Sequence, residues 1–190
     1  MRRWLVMTAL LLLALASSPR LRAQDDDDTM SQKEIESLRD AAYIPTNRIV
    51  AFERILNTRE QQIEQLLAKP HHVGYSQDMH DYIDQFASIA DEFNDNLDDY
   101  ASKHRDIRKA LPKLLSDIER WSTTLRAPAD DDAYNIVRRL ALDNLKDMSA
   151  AASRMQTEQA AYFKAHPDAA KLEKERADPN HAPIPNEGPN

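Results

Sequence analysis

The 190-residue sequence predicts an all-α protein, an antiparallel up-down-up-down four-helix bundle with a short extra N-terminal helix and a disordered C-terminal tail. Apolar residues recur at three- and four-residue steps between prolines, which is the spacing of one helix face. No stretch alternates apolar and polar residues as a half-buried strand does. The chain has only two glycines but ten prolines, and the prolines divide it into helix-length segments.

The first 23 residues are predicted to be a secretory signal peptide (1–23). Two arginines precede an apolar run of thirteen residues from Trp4 to Ala16, which matches the charge and length of such a signal. A membrane-spanning helix needs about 20 apolar residues, so an uncleaved anchor is the weaker alternative. We expect cleavage after Ala23, with Ala16 as the competing site, and therefore an exported protein that is periplasmic or extracellular.

The part of the chain that comes after the predicted signal is acidic. Removing residues 1–23 takes away four of the 25 basic residues and none of the 32 acidic ones, which changes the formal net charge from −7 to −11. Nucleic acids and anionic membrane surfaces require a basic face on a protein that binds them. We therefore expect no nucleic-acid partner and no stable membrane insertion after signal cleavage.

The glycine and cysteine contents exclude several classes of enzyme. With only Gly74 and Gly188, the chain has no P-loop and no dinucleotide-binding fingerprint, because both need glycine where the backbone approaches phosphate. The absence of cysteine excludes disulfides, thiolate zinc sites, iron–sulfur clusters and a thiol nucleophile. No serine lies in a nucleophile motif of the Gly-x-Ser-x-Gly or Ser-x-x-Lys type. We expect a non-catalytic protein without a cofactor.

A short helix and a long helix are predicted at the start of the domain. The short helix covers residues 31–43, because Ser31 followed by Glu34 is the pattern of a capping box. The long helix covers residues 46–68, and Arg59 falls within its apolar stripe. The apolar members of that stripe are Ile49, Phe52, Leu56, Ile63 and Leu66.

The next two helices carry the strongest patterns. From Ser76, four- and three-residue steps alternate through Met79, Ile83, Phe86, Ala90, Phe93, Leu97 and Tyr100. The pattern continues through Ile107, Leu111, Leu114, Ile118, Trp121 and Leu125. Such seams are typical of helices that pack against one another in bundles and coiled coils. Pro112 interrupts the second seam, so we expect a kink or a restart of the helix there.

The last long helix is predicted to end near Ala165, with an N-cap supplied by the acidic residues 130–132. Its core face comprises Tyr134, Val137, Ala141, Leu145, Met148, Ala152, Met155 and Tyr162. The bundle domain therefore covers residues 31–165. Residues 24–30 are expected to be an acidic disordered N-terminus. Residues 166–190 are expected to be a polar proline-rich tail, mostly disordered apart from a short helical turn near residues 168–176.

One end of the predicted bundle gathers candidate metal ligands. His71 and His72 lie in the turn after the second helix, and His80 lies at the start of the third. An up-down topology brings them near the acidic residues 130–132. Imidazole and carboxylate groups together suit zinc or copper. The spacing is not diagnostic, because adjacent histidines diverge, and solvated loop side chains are the simpler interpretation.

A haem site and a cation-binding stripe are further alternatives. His104 and His166 are predicted at one end of the bundle, but a histidine near a helix terminus more often interacts with the helix dipole. The third helix offers Asp84, Asp91, Asp95 and Asp98, and the following segment offers Arg105, Arg108, Lys109, Lys113 and Arg120. Charge pairing between these two helices is favoured over cation binding.

Together these patterns predict a non-catalytic, exported helical-bundle protein that acts through protein–protein or envelope interactions. The heptad seams also allow self-association, in which a helical hairpin dimerises to complete its core. The alternative function is a small-ligand or metal carrier that binds at the loop end of the bundle, with His71, His72 and His80 as the metal ligands.

Overall fold

A computed structural model describes residues 29–176 and residue 178. These residues form helices and no strand, which confirms the predicted all-α class. The helices are α1 (Gln32–Asp40), α2 (Pro45–Leu67), α3 (Tyr75–Ser102), α4 (Leu111–Arg126), α5 (Asn135–Ala165) and α6 (Pro167–Arg176). The predicted signal peptide, most of the predicted acidic N-terminus and most of the predicted tail beyond α6 lie outside the described residues. Within the described part of the chain, no helix has the length and apolarity needed to cross a membrane.

The helix starts follow the local sequence signals. The capping box is present, since Ser31 Oγ accepts from the Glu34 N–H and Glu34 Oε2 accepts from the Ser31 N–H at 2.7 Å. Pro45 is the first residue of α2. Proline suits this position, because the N–H that it lacks would have no hydrogen-bond partner within the helix. Pro112 is the second residue of α4, so the break expected at this proline is a helix start. Gly74 precedes α3 with a φ of 86°, a backbone conformation that residues with a side chain rarely adopt.

The prediction that residues 130–132 cap the last long helix is wrong. α5 begins at Asn135, and its N-cap residue Tyr134 makes no side-chain cap hydrogen bond. Asp131 Oδ1 instead accepts from the Ala133 N–H at 2.9 Å, and Asp131 Oδ2 accepts from Ser76 Oγ at 2.7 Å. The acidic turn therefore ends before α5, and the Asp131 side chain bonds to Ser76 at the start of α3.

The predicted seams form the core. Every seam residue from Met79 to Leu125 is buried. Phe52 of α2 stacks on Phe93 of α3 with ring centroids 4.8 Å apart, and Phe86 of α3 meets Trp121 of α4 edge to face at 5.9 Å. Burial of large apolar side chains of this kind contributes roughly 1.5–3 kcal/mol each.

Each of the four long helices contacts two others. α2 contacts α3 and α4, and α5 also contacts α3 and α4. Residue numbers rise together along α2 and α4, from Glu53 with Lys113 at one end to Glu60 with Thr124 at the other. These two neighbouring helices therefore run in the same direction. Periodicity identifies the core face of a helix but not the helix that shares it, so this relation was not predicted.

The contacts between α3 and α5 show the same relation. Ser76 bonds to Asp131, just before α5, and Asn94 Nδ2 further along α3 donates to the Asn144 carbonyl at 3.0 Å. Asn144 Nδ2 in turn donates to the Ala87 carbonyl at 2.9 Å. α3 and α5 are thus parallel neighbours. An up-down-up-down order gives these two helices the same direction but places them diagonally opposite each other, so the contact between them was not predicted.

The two short helices are attached by arginine–glutamate pairs. Arg59 of α2 donates to both carboxyl oxygens of Glu34 in α1 at 2.9 and 3.0 Å, and to the Thr29 carbonyl at 3.0 Å. Arg105 Nε donates to Glu173 Oε2 of α6 at 3.0 Å. The place of Arg59 in an otherwise apolar stripe is explained by this pairing, because a buried charge requires a bonded partner.

Candidate functional site

The structure gives the predicted metal ligands separate surroundings. His71 and His72 are exposed in the turn before α3, and His80 is half-buried on α3. His72 Nε2 lies 3.6 Å from Asp78 Oδ2, and His80 Nδ1 lies 3.0 Å from Asp81 Oδ1. Among residues 29–176, no group of three or more histidine and acidic side chains is arranged to hold a metal ion.

The acidic turn at residues 130–132 does reach the start of α3, through the bond from Ser76 to Asp131. This bond and the bond from the Ala133 N–H hold the pKa of Asp131 below its usual value.

The metal-carrier alternative stays a prediction. Zinc titration of the wild type against a variant with alanine at positions 71, 72 and 80 tests it.

The second predicted histidine pair meets around a tyrosine. The ring of His104 stacks on Tyr162 with centroids 4.0 Å apart, and Tyr162 stacks on His166 at 4.4 Å. His166 Nδ1 lies 2.9 Å from the Tyr162 carbonyl oxygen. The two imidazoles therefore share a phenol ring, an arrangement that differs from a pair of axial haem ligands.

His104 follows the C-cap of α3 and lies in the left-handed backbone region, with a φ of 50°. Its N–H bonds to the Ala101 carbonyl at 3.2 Å, and the Arg105 N–H bonds to the Tyr100 carbonyl at 2.9 Å. These two bonds form a Schellman motif, in which glycine is the usual residue at the left-handed position. The ring contact with Tyr162 is a stabilising interaction that glycine lacks.

A polar cluster of buried acids and exposed bases joins α2 to α4. Lys113 Nζ lies 2.7 Å from Glu53 Oε2 and 2.5 Å from Asp117 Oδ2. Arg120 forms ion pairs with Glu60 and Asp117. Glu53 and Glu60 are each only 2% exposed. Acids and bases from both helices therefore neutralise one another at the contact.

Neutral side chains complete the polar cluster. Asn57 Oδ1 accepts from Trp121 Nε1 at 2.8 Å and from Arg120 Nη2 at 2.7 Å. Thr124 Oγ1 donates to Glu60 Oε1 at 3.1 Å. The indole N–H of a fully buried tryptophan is thereby satisfied, which keeps it from incurring a desolvation penalty.

The ionisable groups of the cluster respond to burial and to one another. Burial raises the pKa of Glu53 above its usual value, although Lys113 acts in the opposite direction. Burial lowers the pKa of Lys113, but hydrogen bonds to Asp117 and Glu53 outweigh this effect and leave that pKa raised. The lysine therefore stays charged, and the cluster acts as a fixed connection between helices.

The sequence contains a signal for this cluster that periodicity of apolar residues alone does not reveal. On α2, Glu53, Asn57 and Glu60 follow four- and three-residue steps beside the apolar stripe. On α4, the same steps connect Lys113, Asp117, Arg120 and Thr124. Two polar stripes of complementary charge at heptad spacing indicate helices that pack against each other.

The predicted charge pairing between the third and fourth helices is wrong. Lys113 and Arg120 pair with acids on α2 and on their own helix. Arg105 pairs with Glu173, and Arg108 pairs with Asp106. The physical reason is that α4 packs on α2 and α5, so its bases do not face α3.

An acidic face remains on α3. The helix has 28 residues, among them eight aspartates and glutamates and no lysine or arginine. The exposed acids are Asp81, Asp84, Asp91, Asp95, Asp98 and Asp99. Asp81 contacts His80, and Asp99 contacts Lys103. Within the described ranges, no basic side chain forms an ion pair with the remaining four.

These four aspartates, Asp84, Asp91, Asp95 and Asp98, make up the acidic face of α3. Their spacing in steps of seven, four and three places them on one side of the helix. From Asp84 to Asp98 the face extends about 21 Å at 1.5 Å per residue. This surface has one sign of charge and attracts positively charged groups.

No known protein family, curated protein or solved structure matches the chain. A functional assignment therefore depends on the surfaces and contacts of this protein itself.

Proposed function

We propose that the protein is an exported, non-catalytic helical bundle that acts by binding a protein partner with a basic surface. The acidic face of α3 is the observation that carries this proposal. Like charges at these spacings repel one another and reduce helix stability by a few tenths of a kcal/mol per pair. A partner rich in lysine or arginine removes that repulsion when it binds.

The proposal includes a bundle in which α2, α3, α5 and α4 follow one another around a common core. The four neighbour contacts among the long helices support this order. Chain direction alternates along the sequence from α2 to α3, α4 and α5, so the neighbours α3 and α5 are parallel, as are α2 and α4. The connection from α3 to α4 crosses the bundle diagonally. In this arrangement α3 packs on α2 and α5, and its acidic face is turned to solvent.

A basic protein surface fits the acidic face better than a metal ion. The carboxylates are spread along a helix instead of converging on one point, and arginine or lysine side chains can pair with them one by one. Attraction between opposite charges also accelerates encounter, and this acceleration decreases as salt is added. Binding through this face is therefore expected to weaken at higher ionic strength.

A charge-neutral variant of α3 tests the proposal. Asp84, Asp91, Asp95 and Asp98 are all replaced by asparagine, and the tagged protein is used to capture proteins from an envelope and secreted extract. We expect the wild type to capture a basic protein that the variant does not capture, with capture decreasing as salt rises.

The matched control neutralises four exposed acids on other helices, namely Glu64→Gln, Glu119→Gln, Asp147→Asn and Glu158→Gln. It changes the net charge by the same amount and is expected to retain the partner. Equal capture by the wild type and the α3 variant contradicts the proposal, as does loss of capture in the control.

A further inference from the structure

We propose that a second surface, the cavity between α1, α2 and α3, binds a small carboxylic acid with an apolar body through Arg48. The cavity has a volume of about 660 Å³. Pockets for small molecules usually measure about 300–1,000 Å³ and combine apolar walls with a few polar groups. The site is distinct from the acidic face and does not depend on the proposed partner.

The walls of the cavity supply the apolar contacts. They include Met30 before α1, Ile35 and Leu38 on α1, and Tyr43 in the turn after that helix. Leu38 is buried, whereas the ring of Tyr43 is largely exposed. A hydrocarbon chain that covers these side chains removes apolar surface from water, which favours binding.

Arg48 supplies the charge, and its hydrogen-bonding capacity is largely unused. Its side chain is 22% exposed, and Nη2 lies 3.9 Å from Glu92 Oε1, which is too far for a hydrogen bond. Nη1 donates to the Leu38 carbonyl at a long 3.3 Å. The buried Nε has no hydrogen-bond partner among the described residues. A guanidinium group binds a carboxylate with two parallel bonds, so a ligand carboxylate matches the two terminal nitrogens Nη1 and Nη2.

The surrounding charges select a monoanion. Arg39 and Asp40 are exposed lining residues of opposite charge that offset each other. Glu92 is the acid beside Arg48, and its side chain is 42% exposed. Its long contact with Arg48 leaves the guanidinium donors available, but its charge repels an anion. A single carboxylate meets less repulsion there than a dianion does.

Decanoate is the probe for this site, with decanol and decylamine as uncharged and cationic molecules of the same chain length. Titration calorimetry measures binding below the concentration at which the probes form micelles. We expect Arg48→Gln to weaken decanoate binding by about tenfold or more, because the charged donor is lost. We expect Glu92→Gln to strengthen it about threefold, because a partly exposed repulsion is removed.

Arg139→Gln is the matched control, since Arg139 is exposed on α5. It is expected to bind decanoate as the wild type does. Ile35→Trp narrows the cavity and is expected to reduce binding while Arg48 stays in place. This variant tests the site even if Arg48→Gln does not fold. Circular dichroism checks the fold of each variant.

Three results overturn the inference. The first is a wild type that does not bind decanoate. The second is equal affinity for decanoate in folded Arg48→Gln and Arg139→Gln. The third is binding of decanol or decylamine as tight as that of decanoate, since recognition would then not involve the carboxylate.

Discussion

Glu53 is a carboxylate that folding places out of water with incomplete hydrogen bonding. Its Oε2 contacts Lys113, while Oε1 has no hydrogen-bond partner within the described ranges. Burial raises its pKa above the usual value of 4.5, so the folded protein binds the Glu53 proton more tightly than the unfolded chain does. The stability that protonated Glu53 contributes is fully present below pH 4.5 and is lost as the pH rises through the pKa of Glu53 in the folded protein.

Glu53→Gln is expected to remove this pH dependence, because an amide has no proton to lose in this range. Relative to Glu53→Gln, the wild type is expected to lose stability between pH 4 and pH 7. Urea denaturation of both proteins at the two pH values measures the difference. The control is Glu64→Gln, an exposed position on the same helix. A wild type that gains stability over Glu53→Gln as the pH rises contradicts the prediction.

His104 combines a disfavoured backbone conformation with a ring contact. A side chain in the left-handed region costs about 1 kcal/mol relative to glycine, whereas an aromatic stack contributes about 0.5–1.5 kcal/mol. His104→Ala keeps the disfavoured conformation and loses the ring, while His104→Gly loses both. We therefore expect alanine to be the less stable variant by about 1 kcal/mol in urea denaturation.

The partner ring provides the check on His104. Tyr162→Leu removes the stack from the other side and is expected to abolish most of the stability difference between His104 and alanine at this position. Equal stability of His104→Ala and the wild type would show that the ring contact contributes nothing.

At the scale of elements, the polar stripes of α2 and α4 specify how these helices align. Lys113 meets Glu53, and Thr124 meets Glu60, which is seven residues further along α2. A shift by one turn would leave the buried carboxylates of Glu53 and Glu60 without these partners, which is unfavourable. The cluster therefore determines the register of two parallel helices, which an apolar contact would leave less defined.

The attachment of α6 depends on one buried glutamate. Glu173 Oε2 accepts from Arg105 Nε at 3.0 Å and from the Asp106 N–H at 3.1 Å. Glu173→Ala removes both hydrogen bonds, so we expect amide hydrogen exchange in α6 to accelerate by about tenfold or more, while the core amides stay protected. Glu175→Ala, at an exposed position of α6, is expected to leave exchange unchanged. Unchanged protection of α6 in Glu173→Ala contradicts this role of the glutamate.

At the scale of the whole molecule, the proposed bundle has two parallel pairs of neighbouring helices. Spin labels test the pair α2 and α4, and the absence of cysteine makes labelling at introduced cysteines specific. Labels at positions 64 and 126 are expected to be closer than labels at positions 50 and 126 by about 10 Å or more, because 14 helical residues extend about 21 Å. The reverse order of distances would indicate antiparallel packing.

The sequence by itself determined the helices and most of their core faces, although α5 buries Phe163 and leaves the predicted core residue Tyr162 half-buried. The signals used were prolines, the capping box at Ser31 and the three- and four-residue steps. Each acts over less than two helical turns, so it can be recognised without knowledge of the fold. A kink or a restart near Pro112 and the buried seams of α3 and α4 were predicted in this way, and the structure has a helix start and buried seams there. The N-cap assigned to residues 130–132 was wrong, because a contact with Ser76, distant in sequence, uses the Asp131 side chain.

The tertiary structure alone decided which helices are neighbours. That choice brought the bases of α4 to Glu53 and Glu60 and left six acids of α3 exposed. An apolar seam shows which face of a helix is buried, but many different neighbouring helices could cover that face equally well. The partner is selected by packing and charge matching between residues some sixty positions apart, which no local pattern contains.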